Sequence, residues 1–207
     1  MTTAIIGLGN MGKGLAKRLA GRTDLVLASR DVSAAPAFAA TLTGVRSAAI
    51  ADAINAANIV ILALPYGAAL EMAEHAKLDG KIVVDLSNPV KPDFSGLLLG
   101  HTSSAAEEIQ RVAKGAKVVK AFNTIFAGLF DTPSNSTADV PVFLAGNDET
   151  AVEAVSALVV AAGFKSEKTG GLDAARLLEP LGMLNIRFGY GLGRGTNIAP
   201  NWLDVTV

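Results

Sequence analysis

Short apolar runs alternate with amphipathic stretches along most of this chain. Residues 4–7, 25–28, 44–47, 58–64, 81–86, 118–122 and 140–145 are mainly apolar and mostly lack the polar–apolar alternation of a half-exposed sheet. Such runs predict strands buried on both faces, as in a parallel sheet covered by helices. The stretches between them read as helices. Residues 13–20 follow Met11 and place Leu15 and Leu19 on the same face, with Lys13, Lys17 and Arg18 elsewhere. Residues 36–42, 49–57, 68–76 and 149–162 complete further crossovers, and Ser103-Ser104-Ala105-Ala106-Glu107 is a capping-type start to a helix ending near Lys114. Residues 163–167 suit an edge strand, and Ser134-Asn135-Ser136-Thr137 a polar loop. The fold class expected is α/β, a Rossmann-type doubly wound and mostly parallel sheet. It carries a C-terminal helical appendage.

That appendage breaks the amphipathic pattern. From residue 173 to about 190 the chain is helical in composition, yet Leu177, Leu178, Leu181, Met183, Leu184, Ile186 and Phe188 lie on several sides. A helix of this kind is buried on more than one face. Pro180 removes a backbone hydrogen bond and predicts a kink. It is either a core helix of the monomer or a helix clasped between two subunits that also walls a cleft. The second reading is preferred, because a 207-residue chain has no separate domain to cover a bound ligand. The expected division is residues 1–168 for the sheet domain and 169–207 for the helix and tail.

Composition narrows the function. Half the residues are hydrophobic and 18% are charged, so a partner subunit is expected to cover part of the surface. The net charge is −1 and there is no dense basic cluster, which argues against nucleic acid. With no cysteine, disulfides, thiolate catalysis and cysteine-ligated metals are excluded. His75 and His101 alone are too few for an ordinary zinc site, and no metal is expected. No signal-peptide pattern precedes the first strand, and no apolar run approaches the roughly 20 residues that span a bilayer. The expectation is a cytoplasmic protein that does not enter membranes.

The chemistry starts at Gly7-Leu8-Gly9-Asn10-Met11-Gly12, placed between a strand and a helix. In that context G-x-G-x-x-G points to dinucleotide binding. The first glycine makes the turn, the second admits the pyrophosphate and the third lets helix pack on strand. Amides at the helix N-terminus then face the phosphates. The second strand ends in Ser29-Arg30, with Asp31 next. An acidic residue here would hold the ribose 2′-hydroxyl of NAD, whereas a serine hydroxyl and a guanidinium suit a 2′-phosphate. NADP(H) is therefore preferred, because Ser29 directly follows the apolar run.

Three further strand ends carry distinctive residues: Leu64-Pro65-Tyr66, Ser87-Asn88-Pro89 and Phe122-Asn123-Thr124. Their place at the carboxyl edge of the sheet makes them candidates to border a nicotinamide, although each is also ordinary turn chemistry. Beside them there is no convincing general acid. His75 and His101 read as surface histidines and Lys120 as a strand-face lysine, so no catalytic residue is assigned. That absence favours hydride transfer between two redox cofactors, which the protein mainly aligns.

Together these segments resemble the small NADPH-dependent oxidoreductases typified by the NADP oxidoreductases of the deazaflavin coenzyme F420, and the related reductase domain of STEAP-type ferric reductases. The resemblance rests on residues 5–12, Ser29-Arg30, Ile61–Pro65, Val84–Pro89, Ser103–Glu108, Val118–Thr124 and Ala175–Pro180. It implies that Gly7, Gly9, Asn10, Met11 and Gly12 hold the pyrophosphate and that Ser29 and Arg30 hold the 2′-phosphate. It also implies that Leu64, Pro65, Asn88, Pro89, Phe122 and Asn123 border the nicotinamide. By the same resemblance the second substrate is coenzyme F420 or a flavin, and the protein is a homodimer through its C-terminal helix. Two other functions stay open: reduction of a small carbonyl or imine, and a non-enzymatic NADP-binding sensor. The glycines at 189, 191, 193 and 195 suit either a ring lying on backbone or a flexible exit from the helix.

Overall fold

Each apolar run forms a strand. A computed structural model of the chain describes residues 1–203 and Val205, so positions 204, 206 and 207 of the expected appendage lie outside the described residues. The elements are β1 (Thr2–Ile6), α1 (Asn10–Leu19), β2 (Asp24–Ala28), α2 (Ala34–Ala39), β3 (Val45–Ser47), α3 (Ile50–Ala56), β4 (Ile59–Leu62) and α4 (Tyr66–His75). There follow β5 (Ile82–Asp85), α5 (Ala105–Val112), β6 (Lys117–Lys120), α6 (Ser134–Thr137), β7 (Pro141–Gly146), α7 (Glu149–Ala161), β8 (Lys165–Lys168) and α8 (Ala175–Ile186).

The eight strands form one sheet in the order β3-β2-β1-β4-β5-β6-β7-β8. From β3 to β6 all pairs are parallel; β7 runs antiparallel to β6, and β8 is parallel to β7. The chain winds outward in both directions from β1 and β4. This opens a crevice at their carboxyl ends, where doubly wound folds bind ligands. Alternate residues of β1 and β4 enter opposite apolar layers. Ile5, Ile59 and Ile61 pack on the α1 and α7 side, and Ala4, Ile6, Val60 and Leu62 on the α3, α4 and α5 side. Continuous apolar sequence is thus what a sheet covered on both faces requires.

Ser104 caps α5 as its sequence predicts: its Oγ accepts from the Glu107 amide at 3.2 Å and donates to Glu107 Oε2 at 2.8 Å. Residues 134–137, expected as a loop, instead make one helical turn. The Thr137 hydroxyl donates to the Gly163 carbonyl at 2.7 Å and pins that turn to the end of α7. The 3₁₀ turn at Ala127–Asp131 had no counterpart in the sequence pattern. Arg18, in the last turn of α1, holds this region with neutral acceptors. It donates to the carbonyls of Phe130 (2.8 Å), Leu129 (2.8 Å), Ala162 (3.2 Å) and Thr132, and to the Thr137 hydroxyl.

α8 is inverted relative to an ordinary surface helix. Glu179, Gly182 and Asn185, at spacing three, are buried. Leu177 and Leu184 are 73% and 47% exposed. Only Leu178, packed with Phe143 and Ala145 of β7, gives this helix a buried apolar side chain of any size. The helix continues through Pro180 as far as Ile186 and then widens into a π turn over Arg187–Gly191.

Candidate active site

The three opening glycines answer to three different constraints. Gly7 has φ +101°, and a Cβ there would lie 2.5 Å from the Ala63 carbonyl oxygen. Its amide donates to the Ala28 carbonyl at 2.9 Å, which locks the turn to β2. A Cβ on Gly12 would lie 2.0 Å from the Gly7 carbonyl oxygen and 3.2 Å from Ala63 Cβ. This glycine lets α1 rest on the turn. Gly9 is the N-cap of α1 in extended conformation, and among the described residues no atom beyond its chain neighbours lies within 4 Å of its Cβ position. The space it leaves empty adjoins the N-terminal amides of α1, where a pyrophosphate is favoured by geometry and by the helix dipole.

Gly7, Gly9, Ser29, Arg30, Leu64 and Pro65 line one cleft of about 1030 Å³. One side of it is apolar, from Ile50, Ile54, Ala68 and Met72, and suits a flat base. Asp31 also lines the cleft, but its carboxylate turns back on its own loop, accepting from the Ser33 amide at 2.9 Å and the Ser33 hydroxyl at 2.7 Å. Those bonds hold its pKa below the ordinary carboxylate value. The Ser29 hydroxyl accepts from the Asp31 amide at 3.2 Å. Arg30 is exposed and, among the described residues, its guanidinium has no ion-pair partner. The mouth of the cleft thus presents a cation, with the adjacent acid engaged. Met11 packs beside the core and Gly12 inside the turn, so neither lines the cleft. Asn10 is exposed at the start of α1.

Asn88, Pro89, Phe122 and Asn123 form a second group, at the tips of β5 and β6 and outside that lining. The two asparagines face each other. Asn88 Nδ2 donates to the Asn123 carbonyl at 2.8 Å, and Asn123 Nδ2 donates to Asn88 Oδ1 at 2.9 Å and to the Leu178 carbonyl at 2.9 Å. Gly182 of α8 sits on this pair: a Cβ there would lie 2.8 Å from both the Asn123 carbonyl oxygen and Asn88 Nδ2. Phe122 adopts φ +61°, an uncommon conformation for an aromatic residue. Its ring is buried in the core near Phe130, so only its backbone reaches the tips. Among the described residues, Ser87 Oγ, Asn123 Oδ1 and Thr124 Oγ1 are buried here without a hydrogen-bond partner. Unpaired polar atoms of this kind are costly and concentrate at functional sites.

Beneath the tips lies a charged cluster that the sequence reading missed. Lys120, expected to be an ordinary strand-face lysine, is fully buried. Its ammonium donates to Asp85 Oδ2 at 2.7 Å and to the Ser87 carbonyl at 2.6 Å, and it contacts Glu179 Oε1 at 2.8 Å. Glu179 also accepts from the Ala105 and Ala106 amides at 3.0 and 3.3 Å, capping α5 from another helix. Burial raises the Glu179 pKa, and Lys120 opposes the rise. A signal for this cluster does exist in the sequence. Asp85 and Lys120 interrupt the apolar runs 81–86 and 118–122 with opposite charge, and adjacent parallel strands place them in register. Tyr66, at the start of α4, has its phenol pKa raised by burial and by the negative field of Glu108 and Glu179. His75 and His101 are exposed.

The family described as NADP oxidoreductase, coenzyme F420-dependent, matches residues 2–89. A curated F420-dependent NADP reductase from Methanocaldococcus jannaschii is 31% identical over 230 residues, spanning 99% of this chain and 100% of that protein. A crystal structure of a candidate F420-dependent NADP-reductase from Arthrobacter sp. FB24 superposes with a TM-score of 0.83 at 31% identity, covering 99% of this chain and 100% of the other. An imine reductase from Aspergillus terreus shares the fold at a TM-score of 0.67 and 19% identity, over 93% of this chain and 63% of that one.

Proposed function

The chain belongs to the coenzyme F420-dependent NADP oxidoreductase family, and on that premise we propose that it transfers hydride between NADP(H) and coenzyme F420 or a flavin-like acceptor. The observation that carries the reading is the opening turn. Two glycines are locked by backbone contact, while the third leaves room above the N-terminus of α1. The nicotinamide, when bound, supplies the hydride chemistry. The residues of this chain bind, orient and shield it. Gly7, Gly9 and the first amides of α1, from Asn10 and Met11, would take the pyrophosphate, with Gly12 acting only by letting α1 rest on the turn. Ser29 and Arg30 would take the 2′-phosphate, since the engaged Asp31 carboxylate does not compete for a ribose hydroxyl. Leu64, Pro65, Asn88, Pro89 and the backbone of Phe122 and Asn123 would border the nicotinamide. In the proposed appendage that starts at residue 169, helix α8 covers the Asn88–Asn123 tips and would wall the nicotinamide end of the site. No described helix is long and apolar enough to cross a membrane, and a cytoplasmic location suits two diffusible coenzymes.

The exposed Leu177 and Leu184 on a helix whose polar face is buried support a homodimer formed through α8. In that assembly the apolar face is covered by the second copy, and the inverted helix becomes an ordinary interface core.

The test mixes purified protein with NADPH and coenzyme F420 and follows loss of F420 absorbance against NADP⁺ formed. One-to-one stoichiometry is the expected result. Silence with F420 and flavins, alongside turnover of a cyclic imine, would move the assignment to an imine reductase. In the same protein Arg30→Ala should raise the NADPH dissociation constant by about 10- to 100-fold, the value of one charge-assisted hydrogen-bonding group, and leave NADH nearly unchanged. Equal losses for both coenzymes would refute the 2′-phosphate assignment.

A further inference from the structure

The buried Lys120–Asp85–Glu179 cluster has no place in phosphate binding, and stability alone does not account for it. Three ionisable groups at 0–2% exposure lose their hydration. Well-packed apolar residues in such places are commonly as stabilising or more so. Lys120 is also not a proton donor in waiting, because its three ammonium protons face Asp85, Ser87 and Glu179. What the cluster does have is reach. Through the Ser87 carbonyl it grips the residue before Asn88. Asp85 Oδ1 takes the Ser87 amide at 2.9 Å, so both backbone groups of that residue are held. Through Glu179 it grips α8 one turn before Gly182, the residue seated on the asparagine pair. Two more polar contacts run along the same face of the helix: Asn123 Nδ2 to the Leu178 carbonyl at 2.9 Å, and Asn185 Nδ2 to the Thr124 carbonyl at 3.0 Å.

We propose that Lys120 is a positioning residue that sets the height of α8 over the Asn88–Asn123 pair, and so holds the nicotinamide with one face toward the acceptor. The proposal rests on the reading that the nicotinamide lies at these tips. An apolar contact in place of the cluster would let the helix slide, since dispersion has little directionality. A tetrahedral ammonium shared among two strands and a helix fixes all three at once.

The experiment compares NADP⁺ bound to wild type, Lys120→Met and Glu179→Gln. Transferred nuclear Overhauser effects report the glycosidic conformation of the nicotinamide without any acceptor present. Wild type is expected to hold one conformer, syn or anti. Lys120→Met is expected to show both with an unchanged dissociation constant, because the phosphate sites lie at β1 and β2. With NADPH deuterated on one face or the other, wild type should move one hydrogen and Lys120→Met both, with hydride transfer to F420 slowed roughly 10- to 100-fold. Partial unfolding lowers a rate but cannot change which hydrogen moves. If Lys120→Met does not fold, Glu179→Gln gives the same readouts. It keeps the side-chain volume and one of the two oxygens that take the Ala105 and Ala106 amides. A single conformer and strict facial selectivity in the folded variants would overturn the proposal, as would two conformers in wild type or failure of wild type to bind NADP⁺. A wild type that orders NADP⁺ and loses that order in the variants, yet never reduces F420, would overturn the acceptor assignment and leave the clamp standing.

Discussion

Replacing Gly9 and Gly12 with alanine should separate binding from stability. At Gly12 the added methyl would lie 2.0 Å from the Gly7 carbonyl oxygen, more than an ångström inside ordinary contact, and the obstruction is backbone. Either α1 lifts from the turn or the turn deforms, at a cost of about 3 kcal/mol, the upper end of overpacking effects. Alanine recovers about 1 kcal/mol as the better helix former, so about 2 kcal/mol of destabilisation remains. For a chain of this length that lowers Tm by about 4–8 °C. At Gly9 no atom lies within 4 Å, and the backbone, with φ −71° and ψ −170°, accepts any residue. Losing glycine as N-cap costs at most about 1 kcal/mol. The methyl instead occupies the room proposed for the pyrophosphate. Displacing one charge-assisted contact raises the NADPH dissociation constant about 10- to 100-fold. Thermal melts of the coenzyme-free proteins and NADPH fluorescence titrations give both numbers. If Gly9→Ala bound NADPH like wild type, or if Gly12→Ala melted at or above Gly9→Ala, the division of labour among the glycines would be wrong.

Two more outcomes are expected. Leu177→Asp, at a position 73% exposed in the single chain, should shift monomer stability by no more than about 0.5 kcal/mol while converting a sedimenting dimer to monomer. A wild type that sediments as a monomer would remove the dimer proposal. Glu107 is held below its ordinary pKa, chiefly by its hydrogen bonds with Arg176. A depressed carboxyl stabilises the fold above its unfolded pKa of about 4.3 and ceases to as pH falls through its folded value. Glu107→Gln should therefore melt below wild type at neutral pH and converge with it in acid; a gap constant across pH would show that the ionised form contributes nothing.

The sheet was legible because its strands are buried on both faces, which writes burial into sequence as unbroken apolar runs such as Ile59–Leu62. The opening turn was legible because glycine spacing reports backbone contacts directly. Lys120 was not. Its partners Asp85 and Glu179 stand 35 and 59 positions away in sequence, and local pattern reads such a residue only as a strand-face lysine. Residues 134–137 were misread for a related reason: their turn is stabilised by the distant Gly163 carbonyl and not by their own propensity. In α8 the many leucines drew attention away from the polar residues of the helix. Glu179, Gly182 and Asn185 carry the regular spacing, and the single chain buries them together with Ala175 and Leu178. Asn88 and Asn123 were marked as strand-end residues, but their mutual pairing depends on the loops that follow β5 and β6, whose course no periodicity reveals.

Arg18 has a consequence for how the molecule meets harsh conditions. Each of its acceptors is a carbonyl or hydroxyl oxygen, none of which titrates in the range a protein survives. Joints built on carboxylates, such as Lys17 with Asp131 at this same end of α1, slacken in acid or in brine, whereas the Arg18 contacts involve no carboxylate. Under acidification the carboxylate joints would loosen first, leaving α1 still fastened at its far end through Arg18.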